Sequence, residues 1–362
     1  MKPDVILANS TKKTQDQWAL LDYQIGHQNI QSLTGFKGPY GITYNNGKFY
    51  IPDLRDARVI EFSKTLIPLR WLGFRGGKGQ WHSDFNKHPD TDQQHGFKGA
   101  HAISFIKDDR FLVTDYFANR VALFSAQGHF IEFLDFGGVL PKTYGVASAI
   151  KDQDEYIWIA DFDGHKMIKL DPELNFIGCL GFDGTNANIG FQRDCDMKKS
   201  DYLGGFNKPH MIAFLENGHF LVVETGNHRV QIFSKDGISL GQVGDDGSGI
   251  VGFRKNGRSF PSSSEYGLRD PVSISKTKSG DFIIADNGNH RIVKMNAEGQ
   301  FIGWFSGSYN GITLPWSPSA TRPEKGNKIG YLAHPFHAIE VGNKIYVADG
   351  HNNRIVVYPT PQ

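Results

Sequence analysis

Residues 282–295, FIIADNGNHRIVKM, contain the pattern that decides the fold: an apolar run ending in an acid, a short polar turn with a basic residue, and a second apolar run. Five further segments repeat this pattern, at 49–62, 111–124, 157–170, 220–233 and 345–358. The runs are short, alternate apolar with polar residues, and are rich in Val, Ile, Phe and Tyr, which is typical of β-strands. The sequence therefore contains six copies of one strand-turn-strand unit.

Six copies predict an all-β protein, a six-bladed β-propeller that forms a single domain over residues 1–362. We expect the blades at 36–76, 97–137, 141–184, 206–247, 268–307 and 332–360. The last copy stops before its outer strand, and residues 19–26, ALLDYQIG, fit the outer-strand pattern. An N-terminal strand is therefore expected to complete blade six and close the ring, which removes an exposed sheet edge.

Four long insertions separate the blades, at 77–96, 185–205, 248–267 and 308–331. Each follows an outer strand and precedes the next inner strand, a connection that lies on one face of a propeller. We therefore expect them to form lids over one mouth of the channel, because loops of this length in a compact domain are usually functional or disordered.

The composition argues against several classes of partner. Lys and Arg total 39 and Asp and Glu total 38, so there is no basic footprint for nucleic acid or an anionic membrane. The first residues contain no apolar stretch of secretory length, and no later stretch is long enough to cross a membrane. We expect a soluble monomer, cytoplasmic as written, or secreted if a signal peptide has been removed. The only two cysteines, Cys179 and Cys195, allow one disulfide.

The openings of the inner strands indicate a candidate site. Aligning GPYGI, GAHAI, KTYGV, KPHMI, DPVSI and PFHAI places one residue of each blade at the same position: Tyr40, His101, Tyr144, His210, Val272 and His337. Equivalent positions recur about the propeller axis, so these side chains are expected to form a ring at the channel mouth. Histidines from alternate blades, His101, His210 and His337, predict a three-imidazole site for a divalent transition metal, with zinc preferred.

Two tyrosines and an arginine are the candidate catalytic residues. Tyr40 and Tyr144 are expected to donate or accept a proton beside the metal, or else only to hydrogen-bond across the ring. Arg55, in the loop after the first repeat acid, is a candidate for holding a substrate carboxylate, although a solvated or paired arginine is the alternative. Tyr116, Asp163 and His351 are expected to face the same mouth. The repeat acids are interpreted as turn caps and ion-pair partners. A structural calcium in the channel is a further possibility, since a site made of backbone carbonyls has no sequence motif.

The segments 115–121, 286–292 and 349–355, each running from an acid to Arg-Val or Arg-Ile, resemble NHL repeats. The histidine pattern resembles the lyase domain of peptide-amidating enzymes. That resemblance implies zinc held by His101, His210 and His337, and cleavage of an α-hydroxyglycine to an amide and glyoxylate. This sequence departs from the family at two places, because the family's first-blade arginine falls at Tyr40 and its tyrosine falls near Phe162 and Asp163.

These observations lead to one principal hypothesis and two alternatives. The principal hypothesis is a metal-dependent lyase-type enzyme acting on a small-molecule or peptide-like substrate at the channel mouth. One alternative is a calcium-dependent propeller hydrolase or lactonase, which usually needs Asp, Asn and Glu in the channel. The other is a non-catalytic propeller that binds a protein or peptide, since one fold supports many functions.

Overall fold

The computed structural model describes residues 31–90, 96–134, 145–248, 252–255, 257–264, 266–306, 325–327 and 331–360 with their side chains. It describes the backbone alone at 6–7, 12–14, 18–25, 28–30, 307–308 and 311–312. The helices in these parts of the chain are short 3₁₀ segments, and none is long and apolar enough to cross a membrane.

Six antiparallel sheets confirm the predicted six-bladed propeller. The strands of the first three blades are Thr43–Asn45, Lys48–Asp53, Arg58–Ser63, Pro68–Arg75 and Lys78–His82; Ala100–Phe105, Phe111–Asp115, Arg120–Phe124 and Phe130–Phe133; Val146–Lys151, Ile157–Asp161, Lys166–Leu170 and Phe176–Leu180. Blades four and five contain Pro209–Phe214, Phe220–Glu224, Arg229–Phe233 and Ser239–Val243; Pro271–Lys276, Phe282–Asp286, Arg291–Met295 and Phe301–Phe305. Short 3₁₀ segments lie at Leu54–Asp56, Lys107–Asp109, Tyr116–Ala118, Asn287–Asn289 and Gly350–Asn352, and a small hairpin pairs Gly307–Ser308 with Gly311–Ile312.

The N-terminus closes the ring in blade six, as expected. Pro335–Val341, Lys344–Asp349 and Arg354–Pro359 form the first three strands of that blade. The strand paired with Arg354–Pro359 is Gln28–Thr34, and Trp18–Ile25 pairs on its outer side, followed by Ile6–Leu7 and Lys12–Thr14. The predicted closing segment, 19–26, is therefore one strand too far out, because residues 28–34 also have strand character and are closer in the chain to blade one.

The described parts of three insertions pair with the outer strands they follow. Lys78–His82 adds a fifth strand to blade one. Gln192 pairs with Cys179 in blade three, and Arg254 pairs with Gln242 in blade four. Cys179 and Cys195 form the disulfide that the sequence allows, and it ties the insertion after blade three to that blade's outer strand. The prediction that the insertions act as lids stays a prediction.

The repeat acids bind the backbone and basic side chains, as interpreted from the sequence. In blade four, Glu224 accepts hydrogen bonds from the Asn207 N–H at 3.0 Å and from Arg229 Nε at 2.6 Å. Asp286 pairs with Arg291 and Asp349 with Arg354 in the same way, each at 2.7 Å. Each acid therefore holds the start of its blade's inner strand or the arginine of its own turn.

A second repeated contact joins neighbouring blades. The Nδ1 atoms of His165, His228 and His290 accept hydrogen bonds from the N–H groups of Lys208, Asp270 and His334, at 3.1–3.2 Å. Each of these histidines adopts a left-handed backbone conformation at the end of its turn. The contact gives His228 and His290 a structural role in the repeat.

Candidate functional site

The strand register defines the ring at the channel mouth. A residue at the start of each blade pairs with the repeat acid. In blade one this is an isolated bridge before Thr43–Asn45, and in the other blades it is the first residue of the inner strand: Pro39 with Asp53, Ala100 with Asp115, Val146 with Asp161, Pro209 with Glu224, Pro271 with Asp286 and Pro335 with Asp349. The next residues are therefore Tyr40, His101, Ala147, His210, Val272 and Phe336. The sequence alignment is wrong by one residue in blade six, where Phe336 occupies the position assigned to His337. It is also out of register in blade three, and Tyr144 itself lies outside the described residues.

Tyr40 reaches across the channel axis. Its ring lies 3.7 Å from the ring of His101 in blade two and 4.1 Å from that of Phe336 in blade six, centroid to centroid. Its hydroxyl lies 3.1 Å from Nε2 of His210 in blade four, which is opposite blade one in a ring of six. Burial raises the pKa of the Tyr40 phenol well above its ordinary value, so the hydroxyl keeps its proton.

His210 is a neutral hydrogen-bond acceptor for this hydroxyl. Its ring is 5% exposed, and burial, with a further contribution from His337, lowers its pKa to about 3. The other contacts of the ring are with backbone groups at Val272 and at its own residue, and they raise the pKa slightly. In the tautomer with its proton on Nδ1, Nε2 has a lone pair that accepts the hydrogen bond from the protonated Tyr40 phenol.

One ring nitrogen of His101 has no hydrogen-bond partner among the described residues. Its Nδ1 atom is buried and, within the described residues, makes no hydrogen bond. The ring also contacts the backbone of Ala147. Burial, with His210 as a further cause, holds the pKa of His101 well below its usual range. An unpaired buried polar atom is costly, so this nitrogen is the strongest indication of a ligand at the ring.

His337 lies one residue further along its strand than the ring position, and both of its ring nitrogens have hydrogen-bond partners. Its Nδ1 accepts the Ile42 N–H at 2.9 Å, and its Nε2 lies 3.1 Å from the Ser275 hydroxyl. It lines a cavity of about 370 Å³ that all six inner strands surround below the ring. Burial lowers its pKa to about 4.

The predicted three-imidazole zinc site does not fit the residues as they are placed. His101 and His210 each have a lone pair to offer, but the Nδ1 of His337 already accepts a backbone proton and its Nε2 carries one. The described residues contain no group of three or more His, Cys, Asp and Glu side chains arranged to hold a metal. The zinc and calcium predictions stay predictions, and we derive no chemical step from them.

Aromatic residues form the wall of the mouth above the ring. Tyr116 stacks on His101 with 5.2 Å between centroids, and Phe162 meets His210 edge-on at 5.4 Å. Burial, with Asp163 as a further cause, raises the pKa of Tyr116 to about 12. Sequence reasoning placed Tyr116 at this mouth but missed Phe336, and correct alignment of Pro335 with Pro209 would have found it.

Arg55 lies in the short 3₁₀ segment that follows the repeat acid of blade one. Its side chain is exposed and packs against Gly38, and it is close enough to His351 to lower the pKa of that imidazole, after burial and Lys325. The structure therefore brings together Tyr40, His101 and His210, leaves His337 one level below them, and places Arg55 in the turn after the repeat acid of blade one.

Comparisons with known proteins agree with this architecture. The family model of the NHL repeat matches residues 206–233 and 268–295. A 96-residue segment is 33% identical to part of the phosphoribosylformylglycinamidine synthase subunit PurL of Caldivirga maquilingensis, and the match covers 26% of this chain and 13% of that protein.

Three solved structures share the fold at low identity. Virginiamycin B lyase from Staphylococcus aureus is 13% identical with a TM-score of 0.52, over 91% of this chain and 98% of that one. An auxiliary nutrient binding protein from Bacteroides thetaiotaomicron is 12% identical with a TM-score of 0.57, over 91% and 70%. A propeller provisionally called a gluconolactonase is 12% identical with a TM-score of 0.51, over 90% of each chain. The chain is a six-bladed β-propeller containing NHL repeats, a class that includes enzymes and binding proteins.

Proposed function

We propose that the protein is a lyase-type enzyme that acts on a small-molecule or peptide-like substrate at the channel mouth. The observation that carries the proposal is the arrangement of Tyr40, a buried proton donor, between the two neutral imidazoles of His210 and His101. Tyr40 is held by His210 at 3.1 Å, while Nδ1 of His101 faces no protein partner among the described residues.

This arrangement supplies both proton transfers of an α-hydroxyglycine cleavage, the reaction that the family resemblance suggests. His101 Nδ1 takes the proton of the substrate hydroxyl, and the electron pair of that O–H bond forms the carbonyl. The electron pair of the breaking C–N bond goes to nitrogen, which takes the proton of the Tyr40 hydroxyl. The Tyr40 hydroxyl gives up its hydrogen bond to His210 Nε2 when it donates this proton, and return of the proton from His101 to Tyr40 restores that hydrogen bond and the site.

The low pKa values of the imidazoles keep both rings neutral, which the acceptor role requires. A histidine whose pKa is far below its usual value is neutral at neutral pH, so its lone pair is available to a ligand. The raised pKa of Tyr40 keeps the donor protonated over the same range.

Incubation with N-benzoyl-α-hydroxyglycine tests the proposal, with glyoxylate measured as its hydrazone. Wild-type protein should release glyoxylate, and Tyr40→Phe, His101→Gln and His210→Gln should each lower kcat/KM by about 100-fold or more. Matched controls on exposed residues, Tyr202→Phe and His129→Gln, should retain full activity. Thermal unfolding of every variant separates a chemical loss from misfolding.

Equal activity in Tyr40→Phe and Tyr202→Phe would refute the role of the phenol. Plasma mass spectrometry of the purified protein provides a second measurement. About one equivalent of zinc that is lost in His101→Gln would support the zinc prediction and replace the metal-free step given above.

A binding propeller is the second candidate, and one observation favours it. Phe117 is 57% exposed and packs edge-on against Tyr116, which in turn contacts Phe162, so the three rings form a contiguous aromatic surface at the mouth on which a ligand can dock. The calcium-dependent hydrolase alternative has less support, because the six ring positions contain no carboxylate.

A further inference from the structure

A row of aromatic rings leads from the buried His101 to solvent. Tyr116 stacks on His101 with 5.2 Å between centroids, and Phe117 meets Tyr116 edge-on at 5.3 Å. Phe162, from blade three, meets Tyr116 edge-on at 6.0 Å. The outermost ring, Phe117, is 57% exposed, so the row begins at the candidate site and ends in water.

Gly99 lets the outer end of this row contact the neighbouring blade. A Cβ atom at this position would lie 2.5 Å from Cδ2 of Phe117 and 3.0 Å from Cδ1 of Leu54, so the glycine leaves room for both side chains. Leu54 belongs to the turn after the repeat acid of blade one, and Phe117 belongs to the same turn of blade two. The two side chains therefore adjoin above the backbone where these blades meet. We call Leu54, Tyr116, Phe117 and Phe162 the aromatic shelf.

Backbone contacts fix the shelf relative to the candidate site. The N–H of Tyr116 donates to the carbonyl of Gly99 at 2.9 Å, and the N–H of Phe162 donates to the carbonyl of Gly145 at 3.2 Å. A Cβ atom at Gly145 would lie 3.0 Å from Cε2 of Tyr116, so the chain passes directly beside that ring. The shelf is therefore a preformed surface, and a ligand that uses it does not need to order it first.

The shelf suits an apolar group rather than a charged one. The nearest cation to Phe162, Lys208, lies 5.1 Å from the ring centroid and 3.9 Å from a carboxylate oxygen of Asp163. The faces of aromatic rings carry partial negative charge, which disfavours a carboxylate, whereas a second ring gains both burial and ring packing there.

The buried Nδ1 of His101, which has no hydrogen-bond partner among the described residues, independently indicates a ligand beside the shelf. We propose that the aromatic shelf binds an aromatic acyl group on the amide nitrogen of the substrate, while the reacting carbon lies at His101. An N-acyl-α-hydroxyglycine is charged at its carboxylate end, so its acyl group is the part that matches the shelf. The identity of the ligand as a hydroxyglycine rests on the proposed lyase function, but the selection of an aromatic group does not.

Calorimetric titration of the full chain with N-benzoylglycine and with N-acetylglycine tests the inference. Both acids have the carboxylate and the amide but lack the hydroxyl, so neither is cleaved. Wild type should bind N-benzoylglycine about tenfold more tightly, because its ring covers the shelf. Phe117→Ala should raise the Kd of N-benzoylglycine by about fivefold and reduce the preference over N-acetylglycine to about twofold. The matched control is Phe260→Ala, on a phenylalanine that is also 57% exposed but lies in the insertion after blade four, and it should change either Kd by less than about twofold.

Absence of saturable N-benzoylglycine binding, equal wild-type Kd values for the two acids, or equal effects of Phe117→Ala and Phe260→Ala would each overturn the proposal. Glyoxylate release separates its failure from that of the lyase proposal. Binding of N-benzoylglycine that depends on Phe117, without glyoxylate release from N-benzoyl-α-hydroxyglycine, would support the shelf and reject the lyase. Glyoxylate release with equal Kd values for the two acids would reject the shelf alone.

Discussion

Replacing Arg229 by methionine tests the arginine that follows each repeat acid. Arg229 is 1% exposed and Glu224 is fully buried, with 2.6 Å between Nε and Oε1. The same guanidinium donates to the carbonyls of Asp201, Tyr202 and Gly205, which belong to the insertion before blade four, and to Gln242. The arginine therefore joins the repeat acid, the insertion and the outer strand.

The size of the effect follows from burial. Removing one partner of a buried ion pair costs about 3–5 kcal/mol, because the other charge is left uncompensated. Glu224 keeps donors from Asn207, Asn227 and Gln231, which favours the lower end of that range. Methionine fills part of the volume, so most of the loss comes from the unpaired carboxylate and the three carbonyls.

Denaturant unfolding followed by tryptophan fluorescence and circular dichroism measures this loss. The control is Lys198→Met, which removes an exposed ion pair to Asp196 in the same insertion and should leave stability unchanged within error. A loss below about 1 kcal/mol in Arg229→Met would refute the assignment of this arginine as the anchor of the insertion.

Two further predictions concern stability. Between pH 7 and pH 5 the unfolded chain protonates His337, whose ordinary pKa is about 6.5, while the folded protein, in which its pKa is about 4, does not. As pH falls through this window, the unfolding free energy of the wild type should therefore drop by about 2 kcal/mol more than that of His337→Gln. Denaturant titrations at several pH values measure this difference. A variant that shows the same acid sensitivity as wild type would contradict the buried neutral state of His337. Replacing both Cys179 and Cys195 by alanine should lower the unfolding free energy by about 3 kcal/mol, since the disulfide closes a loop of 16 residues, and a reductant should then have no further effect on stability.

The sequence was sufficient for the architecture because the repeat is local. Each copy carries its own acid, turn and basic residue, so the number of blades follows from counting segments such as 220–233 and 282–295. The closing strand was harder to place, since 19–26 and 28–34 both have strand character and only pairing with Arg354–Pro359 distinguishes them. Strand register is set by long-range pairing, which a single sequence does not display.

The candidate site was predicted only in part, because its residues depend on strand register. His101 and His210 follow the first residue of their inner strands, and the alignment placed them correctly at the mouth. Blade six reads PFHAI, and the aliphatic anchor suggested that His337 is the equivalent residue, whereas pairing of Pro335 with Asp349 gives that position to Phe336. The reach of Tyr40 across the axis to His210 depends on side-chain length and channel width, which the sequence pattern does not contain.

The most direct test of the central claim is glyoxylate release from N-benzoyl-α-hydroxyglycine by wild type and by Tyr40→Phe at equal concentrations of folded protein. We predict turnover by the wild type and a loss of about 100-fold or more in the variant, because the phenol supplies the proton to the leaving nitrogen. Unchanged glyoxylate release by Tyr40→Phe would contradict the account.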